Sequence, residues 1–175
     1  MVMAKKKSEA SREMEFTPEL YFAVRIRGSP GMKRKILDTL KMLRMHKVNH
    51  GVLIWGQKSQ MGMLNKCKDY IAYGKIKENT LLRLLRVRGR IVGNKPLTEE
   101  HIKNLTKYRT MKEFAKALLK GEINYRTKEI YKIKPVFRLH PPRKGHRGSI
   151  KKHYNEFGTL GNVGEYINDL LYKMI

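Results

Sequence analysis

The chain is predicted to be α+β: a small three-stranded sheet reading β-α-β-α-β with two helices on one face, then a helical extension and a C-terminal strand, loop and helix. Three stretches carry this prediction. Tyr21 to Arg27 alternates with the period of a half-buried strand, with Phe22, Val24 and Ile26 on one side and Arg25 and Arg27 on the other. After a break at Gly28-Ser29-Pro30-Gly31, Met32, Ile36, Leu40 and Leu43 recur at helical spacing, with Leu37 beside them. After Asn49-His50-Gly51, the apolar run Val52-Leu53-Ile54-Trp55 marks a second strand.

The remaining elements follow in order. Residues 1–19 form a polar tail with Lys5-Lys6-Lys7 and no apolar signal region, and disorder is expected there. Ser59 is a suitable N-cap for a second helix carrying Met63, Leu64, Cys67 and Ile71 on one stripe. Gly62, in its first turn, lowers helix propensity and lets another backbone approach. Tyr70-Ile71-Ala72-Tyr73 begins a third strand, giving an order that is ferredoxin-like in part. Asn79 caps a third helix with Leu81, Leu82, Leu84 and Leu85, whose end is crowded by arginines around Gly89. Ile91-Val92 pairs briefly as a strand before the turn at Gly93-Asn94-Lys95-Pro96.

Thr98 caps a fourth helix, and Thr110 with Glu113 forms a capping-box pattern for a fifth, stopped by Gly121. The stretch from Leu97 to Ile130 is the least basic, so it is expected to face away from a polyanion. Ile133 to Leu139 reads as a strand edged by Pro135, and Pro141 to Gly148 as a loop with no core residues. The chain closes with a helix capped by Asn162, with Val163, Ile167, Leu170, Leu171 and Met174 on one face. These elements divide the chain into a tail (1–19), a β-α-β-α-β nucleic-acid-binding core (20–76), a helical extension (77–130) and a basic strand, loop and helix (131–175) packed on the core.

Lys and Arg total 39 against 15 Asp and Glu, a net charge of +24. Self-repulsion of that size disfavours a compact monomer unless a polyanion neutralises it, and lysines and arginines gain by releasing counterions from phosphates. Lone Cys67 excludes an internal disulfide framework and fits a reducing cytosol. No apolar run approaches membrane-spanning length.

The candidate nucleic-acid contacts fall into five groups. Arg25, Arg27 and Ser29 flank the first turn, whose amides can receive a phosphate although it lacks the Walker lysine and the dinucleotide glycine spacing. Lys33, Arg34, Lys35, Lys41, Arg44, Lys47 and His50 lie along the first helix and its exit, where Asp38 is the lone acid. Lys58 and Ser59 lie at the start of the second helix and Lys66 within it, and Arg88 and Arg90 lie at the end of the third. Arg138, His140, Arg143, Lys144, His146, Arg147, Lys151 and Lys152 occupy an acid-free stretch rich in Pro and Gly, which gains order from phosphates more readily than from packing. Trp55 is either a core aromatic or a base-stacking one. No catalytic constellation or cofactor site is expected. His140, His146 and His153 match no zinc spacing, and Asp69 and Glu78 make no paired-carboxylate site.

Val24-Arg25-Ile26-Arg27-Gly28-Ser29-Pro30, Leu43-Arg44-Met45-His46-Lys47 and Gly62-Met63-Leu64-Asn65-Lys66 resemble the large-subunit ribosomal protein family numbered thirty. Tyr70 to Gly74, Arg88-Gly89-Arg90, Leu97-Thr98, Phe137 to Gly145 and Asn162 to Met174 are similar to its longer archaeal and eukaryotic branch, whose eukaryotic member is called large-subunit protein seven. The archaeal form is the nearer match. The resemblance implies a β-α-β-α-β core and a structural role in the cytoplasmic ribosome. Its implied partners are large-subunit rRNA of the 23S type, the 5S RNA region and neighbouring ribosomal proteins, with no membrane and no small-molecule substrate. Met61 stands where many short members carry a basic residue, so no phosphate contact is assigned there. Residues 1–19 extend past the usual archaeal start, as a species-specific arm or through a start at Met3 or Met14.

Two other classes share part of this pattern. A chromosome-coating DNA binder would share the charge but bind duplex in a sequence-tolerant way, and nothing reads as a helix-turn-helix or zinc finger. An RNA-modifying or RNA-cleaving enzyme would need a poised acid, base or metal.

Overall fold

The computed structural model describes residues 19–123 and 133–175. The expected tail therefore lies outside the described residues apart from Glu19, as does the end of the helical extension. The strands are β1 (Leu20–Arg25), β2 (His50–Trp55), β3 (Ile71–Lys75), β4 (Val136–Arg138), β5 (Ser149–His153) and β6 (Gly158–Asn162). The helices are α1 (Arg34–Met42), α2 (Lys58–Lys66), α3 (Glu78–Arg88), α4 (Glu99–Leu105), α5 (Met111–Lys120) and α6 (Tyr166–Met174).

The fold is α+β, with the three expected strands at its centre. The sheet order is β4-β2-β1-β3-β6-β5, so the C-terminal region adds three strands where one was expected. β1 is antiparallel to both neighbours, with Phe22 opposite Leu53 on β2 and Gly74 on β3. β4 adds antiparallel to β2, whereas β3, β6 and β5 are mutually parallel neighbours. β5 and β6 were not foreseen. Gly148 and Gly158 permit them, because a Cβ on either would collide with the carbonyl of Phe157 or of Lys152.

α1 and α2 cover one face of the sheet, as expected, and the other face is covered as well. Ala23, Val52, Ile54, Ile71 and Tyr73 pack under Leu40, Leu43 and Met45 from α1 and its exit, and Leu64 and Cys67 from α2 and its exit. Phe22, Val24, Leu53, Trp55 and Ala72 pack on the other side against Leu81 and Leu84 of α3, Phe114 and Leu118 of α5, and Ile167 and Leu170 of α6. Each fully buried Val, Leu, Ile, Phe or Met side chain contributes about 1.5–3 kcal/mol relative to an exposed one. Trp55 is 6% exposed and belongs to this second core, which removes it as a base-stacking residue.

Helix starts follow the sequence where the cap is local. Thr98 accepts from the His101 amide and Thr110 from the Glu113 amide, and Gly121 ends α5 in the left-handed region at φ 81°. They depart at α2 and α3, whose N-cap residues make no side-chain cap of their own. α2 starts at Lys58 with Gln57 at its N-cap, so Ser59 lies in the first turn. α3 starts at Glu78 behind Lys77, not Asn79, because Asn168 Oδ1 of α6 accepts the Lys77 amide at 2.9 Å. Asn162 ends β6 and accepts from Gly164, while Glu165 precedes α6.

Candidate nucleic-acid interface

β1 ends, β2 and β3 begin, and β4 ends at one end of the sheet, since Arg25 pairs with Ile71 and His50 with Arg138. The turn after β1, the exit of α1 and the segment after β4 therefore converge there. α1 closes with a Schellman motif: the Arg44 amide donates to the Lys41 carbonyl and the Met45 amide to the Leu40 carbonyl. Its left-handed position, usually glycine, holds Arg44 at φ 63°. Leu40 and Met45 bury together beneath it while Arg44 stays in solvent. Lys33, Arg34, Lys35, Lys41 and Lys47 are likewise exposed. Their nearest acid is Asp38, at 3.8 Å from Lys41.

Arg25 is the clearest correction. It was expected on an outward face but is 1% exposed. Its Nε donates to the Arg27 carbonyl at 2.9 Å, its Nη1 to the Met45 and His46 carbonyls at 3.0 and 2.9 Å, and its Nη2 to Ser29 Oγ at 2.7 Å. The α1–α2 layer covers the strand face that alternation assigned to solvent. Arg25 thus holds the loops that carry the surface and is no phosphate contact itself. Ser29 remains exposed although it accepts from Arg25. Arg27 is half-buried, stacks 5.0 Å from the Tyr70 ring and donates to the Asp69 carbonyl at 3.1 Å.

Residues 139–148 run as a strap from β4 at one sheet edge to β5 at the other. The strap is not core-free, since Leu139 and Pro142 are buried. The His140 amide donates to the Met174 carbonyl at 3.0 Å and the Arg143 amide to the Lys173 carbonyl at 2.9 Å. These are carbonyls that a helix end leaves open, so strap and helix satisfy each other. Arg147 lies 4.8 Å from the Tyr154 ring and 5.8 Å from the Tyr166 ring, clamping the far end. His140, Arg138, Arg143, Lys144, Lys151 and Lys152 project into solvent.

The strap also brings Arg143 beside Arg88 and Arg90, which lie far apart from it in sequence. Burial lowers the Arg88 pKa, and the charges of Arg90 and Arg143 lower it further. Arg88 Nη2 donates to the Ile175 carbonyl at 2.9 Å. Burial likewise lowers the pKa of His50, reinforced by Arg138, and of His146, reinforced by Lys173. Both shifts disfavour the cationic form of these two histidines. Lys66 ends α2 near this basic end, whereas Lys58 and Ser59 start it beyond the far end of β2, away from the others.

The ends of the sheet differ in charge pairing. At the far end Lys75 pairs with Glu19 at 2.6 Å and Lys77 with Glu165 at 2.7 Å. At the basic end, Asp69 pairs with His153 at 2.9 Å. Phe157, absent from the sequence reading, is 78% exposed beside this surface. Its signal was a bulky apolar residue in a polar stretch with no periodic partner.

Among the described residues no helix is long and apolar enough to cross a membrane. A family model described as ribosomal protein L30p/L7e matches residues 21–71. Three proteins called large ribosomal subunit protein uL30 are similar over 89% of this chain and 99% of their own length. The one from Archaeoglobus fulgidus is 52% identical, that from Methanoculleus marisnigri 48% and that from Methanocorpusculum labreanum 46%.

Proposed function

The chain belongs to the ribosomal protein L30p/L7e family, and from that premise we propose that it is a structural constituent of the large ribosomal subunit. It binds and stabilises folded 23S-type rRNA, near the 5S RNA region, through the basic end of its sheet. The observation that carries this reading is the asymmetry of charge pairing. At the far end Lys75 and Lys77 have carboxylate partners, Glu19 and Glu165. Among the described residues, Arg34, Arg44, Lys47, Arg138 and Arg143 are exposed and have no ion pair. Phosphates are the natural complement, because they release counterions when neutralised.

In this role α1 and the strap are the main rRNA surfaces, and the role involves no catalysis and no cofactor. Residues 20–76 form the primary RNA-binding core, 77–130 a helical extension whose least basic stretch faces away from the main rRNA contact, and 131–175 a basic strand, loop and helix packed on that core. The protein works in the cytoplasm, within the ribosome. Sedimentation of the tagged protein in a cell extract tests this. Co-migration with the large subunit through a high-salt wash is expected, and a nucleoid or free-pool location would refute it.

A further inference from the structure

Among the described residues, three that are neither Gly nor Asn adopt positive φ: Arg44 at 63°, Lys144 at 62° and Phe157 at 57°. The first two are cations of the surface described above. Phe157 is 78% exposed, more than Met42 at 69% or Val92 at 62%. A bulky residue in the left-handed region costs conformational free energy, and an exposed ring recovers none of it by burial. The backbone cannot relax away. Gly148 packs so closely on the Phe157 carbonyl that any Cβ there would collide, and Gly158, the next residue, packs in the same way on the Lys152 carbonyl. The fold therefore imposes the strain and displays the ring.

Its surroundings are basic. β5 is an edge strand carrying Lys151 and Lys152 in solvent. Glu156 is the adjoining acid, and Ile150, at 42% exposure, is the one other large exposed apolar residue of the β5–β6 element. Lysines are depleted from the centres of protein–protein interfaces, whereas an aromatic ring among lysines is the usual platform for single-stranded nucleic acid. We propose that Phe157 stacks on an unpaired base of rRNA, with Lys151 and Lys152 taking the adjoining phosphates. This rests on the rRNA-binding reading above.

Filter binding of deproteinised large-subunit rRNA tests it, with wild-type protein and the variants Phe157→Ala, Phe157→Gly and Phe157→Tyr. Stacking of one base predicts affinity roughly 5- to 150-fold weaker for Phe157→Ala. Phe157→Gly should bind as weakly while melting at or above the wild-type temperature, since glycine relieves the strained φ. That separates loss of the ring from loss of the fold. Phe157→Tyr should bind within about twofold of wild type, because it keeps the ring. Wild-type affinity in both the Ala and Gly variants would overturn the inference. So would unchanged affinity for naked rRNA combined with loss of the variants from assembled subunits, which would place a protein neighbour on the ring. Failure of the wild-type protein itself to bind would overturn the reading beneath it, and this inference with it.

Discussion

Arg25 and Met45 lie 20 residues apart, and the Arg25 guanidinium donates to the Met45 carbonyl at 3.0 Å from a side chain that is 1% exposed. One buried cation thereby ties the end of β1 to the exit of α1, with backbone and hydroxyl oxygens as its acceptors. Arg25→Ala would leave the Met45 and His46 carbonyls without these donors. It should cost about 2–5 kcal/mol of stability, read by thermal or denaturant unfolding. A variant that melts like wild type but binds RNA poorly would mean that Arg25 faces the RNA after all.

The exposed face of α1 should behave in the opposite way. Arg34→Ala, Lys41→Ala and Arg44→Ala combined should leave the melting temperature within a few degrees, because exposed charges add little to stability. RNA affinity should fall by roughly 1–3 kcal/mol in sum. Leu40, fully buried under the same helix, is the control. Leu40→Ala should cost about 2–5 kcal/mol of stability through the cavity it leaves. A triple variant that unfolds while keeping its affinity would reverse the two faces.

Gly62 sits in α2 with no heavy atom within 4 Å of where a Cβ would stand, so folding does not demand glycine there. Gly62→Ala should raise stability by about 0.5–1 kcal/mol through helix propensity. If rRNA backbone approaches this turn, the same substitution should weaken binding. Higher stability with unchanged affinity would leave the position outside the interface.

Binding to large-subunit rRNA should weaken steeply with salt. Each neutralised phosphate contributes roughly −0.7 to −0.9 to the log–log slope, so a slope steeper than about −4 is expected from the exposed cations of α1 and the strap. A flat titration would remove phosphate neutralisation as the source of affinity.

The strap should already be folded before RNA arrives, because its amides occupy the end of α6 and Arg147 stacks on Tyr154 and Tyr166. Limited trypsin digestion of the free protein should therefore cut slowly after Arg143 and Lys144. Arg147→Ala should accelerate that cleavage by removing a cation–π contact of about 0.5–1 kcal/mol. Equal rates for both proteins would show that the stacking does not hold the strap. Fast cleavage of the wild type, suppressed by an rRNA fragment, would instead make the strap order on binding.

The sequence by itself determined the α+β class, the three central strands, the helical stripes of α1 and α5, and the caps at Thr98, Thr110 and Gly121. Each of these rests on period or on a hydrogen bond between near neighbours, so the information is local. It also determined that the surface is basic and that α1 carries much of it, since charge and helical spacing are read directly. Only the tertiary structure decided that Arg25 is buried, that β5 and β6 extend the sheet, and that Arg143 meets Arg88 and Arg90. It also decided that Asn168 caps α3 from 91 residues away through the Lys77 amide. Alternation shows that a strand has two unlike faces. It does not show that a second layer will cover the polar face, because that depends on where α1 and α2 pack. A loop rich in Pro, Gly and charge looks unsupported until the open carbonyls of a distant helix end are brought against its amides. Those partners are set by packing, not by spacing along the chain.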